Sequence, residues 1–170
     1  ANLINSLGFN QIKTLDNHSS VTAACLNNLT EVKQLDIIKA WPEFKNRVCY
    51  PVGDAVFVSP DAGANKKTFD LAKFFNHKEF IRADKLRDMS TGEIKETVVY
   101  ADDLNGRNAI VVDDLCDGGK TFTELAKALR TKNVGKIILY VTHGIFSKGL
   151  INLLDNGIDE VWTTNSYRTD

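Results

Sequence analysis

Short apolar runs rich in β-branched residues alternate with amphipathic stretches along this 170-residue chain. That alternation predicts strands and helices following one another in a parallel sheet. Ala55 to Val58, Asn108 to Val112, Lys136 to Val141 and Asp159 to Thr163 read as short strands, and Gln11 to Leu15 as another. Glu93 to Tyr100, with its β-branched run, reads as a strand in a hairpin or flap. Helical spacing covers Leu35 to Trp41, ended by Pro42, then Lys66 to Phe75, Ser147 to Leu154, and Thr121 to Arg130 with Phe122, Leu125, Ala126 and Leu129 on one face. Ala1 to Leu7 reads as the end of a helix stopped by Gly8. The expected fold is α/β, a doubly wound and mostly parallel sheet. Without internal repeat, low-complexity segment or linker, residues 1–170 read as one domain.

Composition narrows the partners. A formal net charge of −1 and a pI near 6.4 supply no basic field for nucleic acid, so neither DNA nor RNA is expected as a partner. No apolar stretch approaches a membrane span and no charged-then-apolar leader opens the chain, so the expected setting is soluble and cytoplasmic. Cys25, Cys49 and Cys116 are odd in number and widely spaced, which argues against a disulfide framework or zinc site and for a reducing compartment. Cys116, flanked by aspartates, should resist becoming a thiolate.

The densest chemistry lies in VVDDLCDGGKTF, Val111 to Phe122, where a buried strand, an acidic pair, a glycine turn and a helix start follow in that order. Two glycines let successive N–H groups turn round one centre, and the helix adds the positive end of its dipole. Asp117, Gly118, Gly119, Lys120 and Thr121 therefore read as a phosphate cradle, with the Thr121 hydroxyl as an extra donor. Asp113 and Asp114 fall at the carboxyl end of the strand, where open α/β sheets bind ligands. Adjacent carboxylates beside a phosphate site suit ribose hydroxyls or a magnesium ion. The GxxxxGK[ST] spacing of a P-loop is absent. A second turn, Ser59 to Lys67 (SPDAGANKK), delivers Asp61, Ala62 and Gly63 after a strand, with Lys66 and Lys67 at the next helix start. Carboxylate oxygen for a hard cation, with backbone donors and lysines for phosphate, is a coherent set.

These segments resemble those of the ribose-phosphate pyrophosphokinases, the phosphoribosyl-pyrophosphate (PRPP) synthetases, whose fold is that of the type I phosphoribosyltransferases. Residues 111–122 are similar to the PRPP-binding motif, SPDAGANKK to the pyrophosphate-side loop, and DKLR, Asp84 to Arg87, to the flexible catalytic loop. TLDNHS, Thr14 to Ser19, is similar to the family's Asp-x-His segment, and VTHGIFSKG, Val141 to Gly149, to its Thr-His-Gly segment. The matches keep the family's order along almost the whole chain.

The resemblance implies magnesium-dependent transfer of the diphosphoryl group of ATP to ribose 5-phosphate, giving PRPP and AMP, in a protein that assembles as a homo-oligomer. It implies Lys85 and Arg87 as the catalytic cations of a mobile loop, and residues 117–121 with Asp113 and Asp114 as the ribose 5-phosphate and PRPP site. Asp61, Ala62 and Gly63 would face pyrophosphate, and His18 with Asp61 would meet the metal and the ATP phosphates. His143 is expected to brace a loop, and His77 to lie on the surface. Two departures stand out: Ala64 replaces a second glycine, and Leu86 stands where a further cation is common. The chain is short for the family. It starts after the region that grips adenine there, which implies slow turnover by this chain alone. A phosphoribosyltransferase consuming PRPP, or a catalytically silent sugar-phosphate-binding subunit, would share part of these residues.

Overall fold

Five buried residues in succession, Ala55–Ser59, form the strand β3, and continuous burial is what a strand covered on both faces requires. The computed structural model describes residues 1–48, 54–87, 89–91 and 94–167. In chain order its elements are α1 (Asn2–Ser6), β1 (Ile12–Leu15), α2 (Val21–Cys25), β2 (Leu29–Val32), α3 (Gln34–Lys39), α4 (Pro42–Val48) and β3. A 3-10 turn (Ala62–Ala64) and α5 (Asn65–Phe74) follow, then β4 (Phe80–Arg87), β5 (Ile94–Val99), β6 (Asn108–Cys116), α6 (Lys120–Arg130), β7 (Ile137–Gly144), α7 (Leu150–Leu154) and β8 (Glu160–Thr163). Six strands form one sheet in the order β5-β4-β3-β6-β7-β8, while β1 and β2 pair in a separate two-stranded parallel sheet. All pairings in the larger sheet are parallel except β4 with β5.

Alternation along the central strands divides the core in two. Val56, Val58, Val111, Leu139 and Val141 point to the face covered by Phe122, Leu125 and Leu129 of α6 and Leu153 of α7. Phe57, Ile110, Val112, Ile138 and Tyr140 point to the other, under Ile38 of α3, Phe44 of α4 and Leu71 of α5. This is the doubly wound α/β arrangement the periodicity predicts. Leu129 is fully buried, so Leu129→Ala should cost about 2–5 kcal/mol through the cavity it leaves.

The structure corrects several boundaries. Pro42 ends α3 as expected and also opens α4 at its first position, where a missing N–H costs nothing. Asp113 and Asp114 lie within β6, which runs to Cys116 and keeps pairing with β7 through Leu115↔His143. The helix expected from Ser147 starts only at Leu150, after Gly149 at φ 78°. Lys85 lies on β4 opposite Thr97 of β5, with a register irregularity between Leu86 and Arg87, so the segment expected as a mobile loop is one arm of a hairpin. The Arg87 side chain, Asp88, Glu93 and Cys49 fall outside the described residues. His77, expected on the surface, is partly buried and packs edge-on against Phe57 with ring centroids 5.0 Å apart.

Candidate functional site

The carboxyl ends of β1, β3 and β6 bring acidic residues from distant parts of the sequence to one place, and two lysines hold them. Asp16 follows β1 in the left-handed region, at φ 44°, and is 2% exposed. The Lys67 ammonium, from α5, donates to Asp16 Oδ1 at 2.7 Å, to Asn17 O at 3.2 Å and to Asp114 Oδ2 at 3.2 Å. His18 Nδ1 lies 3.0 Å from the same Asp114 oxygen, with its side chain 91% exposed. Buried polar groups close the set from below. The Thr142 hydroxyl donates to Asp16 Oδ2 at 2.6 Å, and Gln34 Nε2 donates to the same oxygen at 3.2 Å and to Asp113 O at 2.7 Å. A buried carboxylate surrounded by this many donors meets the condition for keeping a charge inside a fold.

On the other side, the Lys85 ammonium donates to Asp61 Oδ2 at 2.7 Å, and Ala64 N–H donates to Asp61 Oδ1 at 3.2 Å. Burial pushes the Asp61 carboxyl up, but the Lys85 bond and charge and the Ala64 and Gly63 N–H groups outweigh it and hold the carboxyl below its usual range. For Lys67 the balance also favours the charged form: burial works against the ammonium, while Asp16 and Asp114 raise its pKa above the ordinary value. Among the described residues no cation is bonded to the Asp113 carboxylate, which feels the charges of Asp114, Asp61 and Lys85. Burial first and the Asp114 charge second push it up to about 7, against the bond from Asp114 N–H at 2.9 Å and the Lys85 charge. Cys116 is pushed up to about 12 by burial and by Asp113 and Asp117, so it resists ionisation as expected.

The cradle has the expected local structure. Gly119 caps α6 in the left-handed conformation at φ 76°, and its carbonyl accepts from Phe122 and Thr123 N–H, each at 3.0 Å. A side chain there would collide with Leu153 Cδ2 at 2.7 Å, whereas a Cβ on Gly118 would only touch the Lys148 stem at 3.7 Å. The N–H groups of α6 ahead of Phe122 have no carbonyl one turn back to donate to and point out of the helix start. Asp117 and Lys120 are exposed and Thr121 partly so.

The structure thus brings together Asp16, His18, Lys67 and Asp114 by direct bonds, and Asp61 with Lys85. Asp113 feels charges from both groups, and the 117–121 turn continues from the end of β6. One expectation changes. Lys67, expected to neutralise phosphate, is engaged by carboxylates. Ala64, which stands in place of a second glycine, is 4% exposed and set in the apolar core. Gln34 and Thr142 were not singled out from the sequence, and their partners lie 18 to 126 residues away. His143 braces as expected, with Nε2 donating to Leu15 O at 3.0 Å and Nδ1 2.8 Å from Ser166 Oγ.

Among the described residues no group of three or more His, Cys, Asp or Glu could hold a metal ion. Magnesium does not need one, since it is commonly bound by one or two carboxylates plus substrate phosphates and water. The Asp61 carboxylate, 35% exposed, fits that mode. No helix among the described residues is long and apolar enough to cross a membrane.

Comparison with known proteins agrees with the geometry. Residues 75–170 match the family described as Phosphoribosyl synthetase-associated domain. Ribose-phosphate pyrophosphokinase B of Dictyostelium discoideum is 30% identical over 98% of this chain and 53% of its own length. The ribose-phosphate pyrophosphokinase of Brucella melitensis is 30% identical over 99% of this chain and 53% of its own. The crystal structure of phosphoribosylpyrophosphate synthetase from Mycobacterium smegmatis superposes with a TM-score of 0.81 at 23% identity, covering 97% of this chain and 52% of that one. Adenine phosphoribosyltransferase from Saccharomyces cerevisiae shares the fold at a TM-score of 0.56. The chain spans about half the length of the curated relatives it matches. By this match it belongs to the PRPP synthetase family, built on the type I phosphoribosyltransferase fold.

Proposed function

We propose that this domain binds ribose 5-phosphate and the phosphates of ATP and serves magnesium-dependent transfer of the ATP diphosphoryl group to the sugar, giving PRPP and AMP. The observation that carries the reading is the convergence of Asp61, Lys85, Asp113, Asp114 and His18 beside the glycine turn at the start of α6. In this reading residues 117–121 hold the 5-phosphate through N–H groups and the Thr121 hydroxyl, and Asp113 and Asp114 orient the ribose hydroxyls. Asp61, Ala62 and Gly63 face the pyrophosphate. His18, whose Nδ1 is taken by Asp114, has Nε2 left for the ATP phosphates or the metal. Asp61 would hold magnesium with phosphate oxygens, where the ion polarises them and offsets their charge. Lys85 and Arg87 supply cationic charge to the transferring group, since phosphoryl transfer depends on neutralising spreading negative charge more than on a strong base. The cytoplasm suits this chemistry as the place of action, and a homo-oligomer as its assembly.

Binding and chemistry are tested separately. Gly118→Asp puts a carboxylate into the cradle at a position with room for a side chain, and should abolish ribose 5-phosphate binding by calorimetry. Unchanged affinity would refute the cradle. AMP release that requires both ATP and ribose 5-phosphate supports the synthetase reading. Nucleobase-dependent release of pyrophosphate from PRPP would replace it with a transferase.

A further inference from the structure

One wall of the phosphate cradle comes from outside the strand, turn and helix that announce it. A Cβ placed on Gly118 would lie 3.7 Å from Lys148 Cε and 3.9 Å from Lys148 Cδ and Ser147 Oγ, so the loop between β7 and α7 runs beside the glycine turn and the Lys148 stem lies along it. That loop is fixed. Ile145 and Phe146 N–H donate to the carbonyl of Cys116, the last residue of β6, at 2.9 and 3.1 Å, and Gly149 N–H donates to Phe146 O at 2.8 Å. Phe146 holds φ 50°, which a bulky residue adopts only under constraint, and it is buried with its ring set against Gly144. Lys148 itself is exposed. Among the described residues Lys67, Lys85, Lys127 and Lys136 each meet a carboxylate, whereas none pairs with Lys148.

We propose that Lys148 is a specificity-determining residue of the sugar-phosphate site, its ammonium selecting a doubly charged phosphate monoester over a singly charged ester of the same shape. The inference rests on the ribose 5-phosphate reading above. Backbone N–H groups and the Thr121 hydroxyl bond any tetrahedral oxyanion that fits, and so read shape more than charge. Asp117, exposed at the start of the turn, adds a negative charge that weighs twice as heavily against a dianion as against a monoanion. A lysine ammonium is a compact charge on a flexible stem, so it can settle on a phosphate oxygen once one is present. Its attraction doubles when the charge of the ester doubles. With no carboxylate to leave, Lys148 makes this contact without breaking an ion pair.

Magnesium-free calorimetric titrations with ribose 5-phosphate and with ribose 5-sulfate, an ester of the same tetrahedral shape and one charge, test this in the wild type, Lys148→Met, Lys148→Arg, Lys148→Glu and Lys120→Met. They are run at about pH 8, well above the second phosphate pKa of about 6. Lys148→Met should lose on the order of tenfold in affinity for the phosphate and on the order of threefold for the sulfate, since the lost Coulomb energy enters twice for the dianion. The preference for phosphate therefore falls on the order of threefold, and Lys148→Arg should restore it. Lys148→Glu reverses the charge and should lower the preference further, a second reading if Lys148→Met does not fold. Loosening of the loop would weaken both esters by one factor and leave the preference unchanged. Added salt should erode the preference of the wild type more than that of Lys148→Met. An unchanged preference in Lys148→Met and Lys148→Glu, or one lost in Lys120→Met and kept in Lys148→Met, overturns the proposal while the cradle stands. Equal affinity of the wild type for the two esters does the same. A wild type that binds neither ester overturns the sugar-phosphate reading itself.

Discussion

Lys67 and Lys85 serve the same acidic floor from two kinds of support. Lys67 projects from α5 and gives its ammonium to three acceptors, with carboxylates on residues 2% and 6% exposed. Lys85 projects from a hairpin and, among the described residues, has a single carboxylate partner, 35% exposed. Charges with several buried partners cannot be exchanged without leaving one of them uncompensated, so the Lys67 set is scaffold. A single partner that water and ions can reach can be exchanged for a ligand. The same residue type therefore sits in a buried network on the helix and in a single, partly solvated pair on the hairpin.

The strongest way to break this comparison is to remove the helix lysine. Lys67→Met leaves Asp16 buried beside Asp114 without its cation, and should cost about 3 kcal/mol of unfolding free energy in urea. That is the low end for a broken buried pair, because the Lys67 side chain keeps 27% exposure. A loss below about 1 kcal/mol, the range of surface pairs, would place the two lysines in one class.

A second measurement examines Asp113. Its pKa is raised from the ordinary 3.8 to about 7, by burial first and Asp114 second. An acid whose folded-state pKa lies above its unfolded one adds stability that is fully present below the unfolded value and lost as pH rises through the folded one. Between about pH 4 and 8 the wild type should thus lose on the order of 2 kcal/mol relative to Asp113→Asn in metal-free urea titrations, part of the about 1.4 kcal/mol per pKa unit that full burial would give. Asp61, held below its range, works the opposite way at lower pH, and it is present in both proteins. Parallel stability curves would show that Asp113 has a cationic partner in solution.

How far the sequence could be read follows the same division. The strand, turn and helix of 108–130 were legible because periodicity, two glycines and a helix start are local signals, and the structure keeps the helix within a residue while carrying the strand on to Cys116. Asp61 after β3 was legible for the same reason. The scaffold under the site was not. Asp16, Gln34, Lys67 and Thr142 meet across 18 to 126 residues of sequence, and nothing in VTHG or ANKK announces a buried carboxylate partner. Lys85 was expected on a mobile loop by resemblance to the family, and the structure places it on a strand. A hairpin arm outside the doubly covered centre tolerates a charged run, and its strand character comes from pairing with β5. The four-residue strand β2, paired only to β1 in a separate sheet, has too short an alternation to be seen.

A smaller effect is expected at the hairpin lysine itself. Lys85→Met removes one ion pair whose lysine is 12% exposed but whose acid is partly solvated, so the folded state should lose less than it does with Lys67→Met, about 1 to 2 kcal/mol. Urea unfolding of the two variants side by side measures the difference directly. Equal losses would mean that the Lys85–Asp61 pair is part of the scaffold, which would also remove the basis for exchanging it with a ligand.

The smallest effect on stability should come from His18, and it sharpens the comparison because His18 shares an acceptor with the scaffold lysine. Its ring bonds Asp114 Oδ2, the oxygen that Lys67 also reaches, yet 91% of the side chain faces water. With Lys67 still in place Asp114 stays compensated, so His18→Ala should change unfolding free energy by no more than about 0.5 kcal/mol, as exposed substitutions usually do. The same variant should bind magnesium pyrophosphate or ATP more weakly, since an exposed imidazole beside the acidic pair has a ligand and not the core to meet. Calorimetry and urea unfolding on one preparation separate the two roles. A stability loss above about 1 kcal/mol with unchanged phosphate affinity would make His18 a brace for Asp114 and move it to the scaffold beside Lys67.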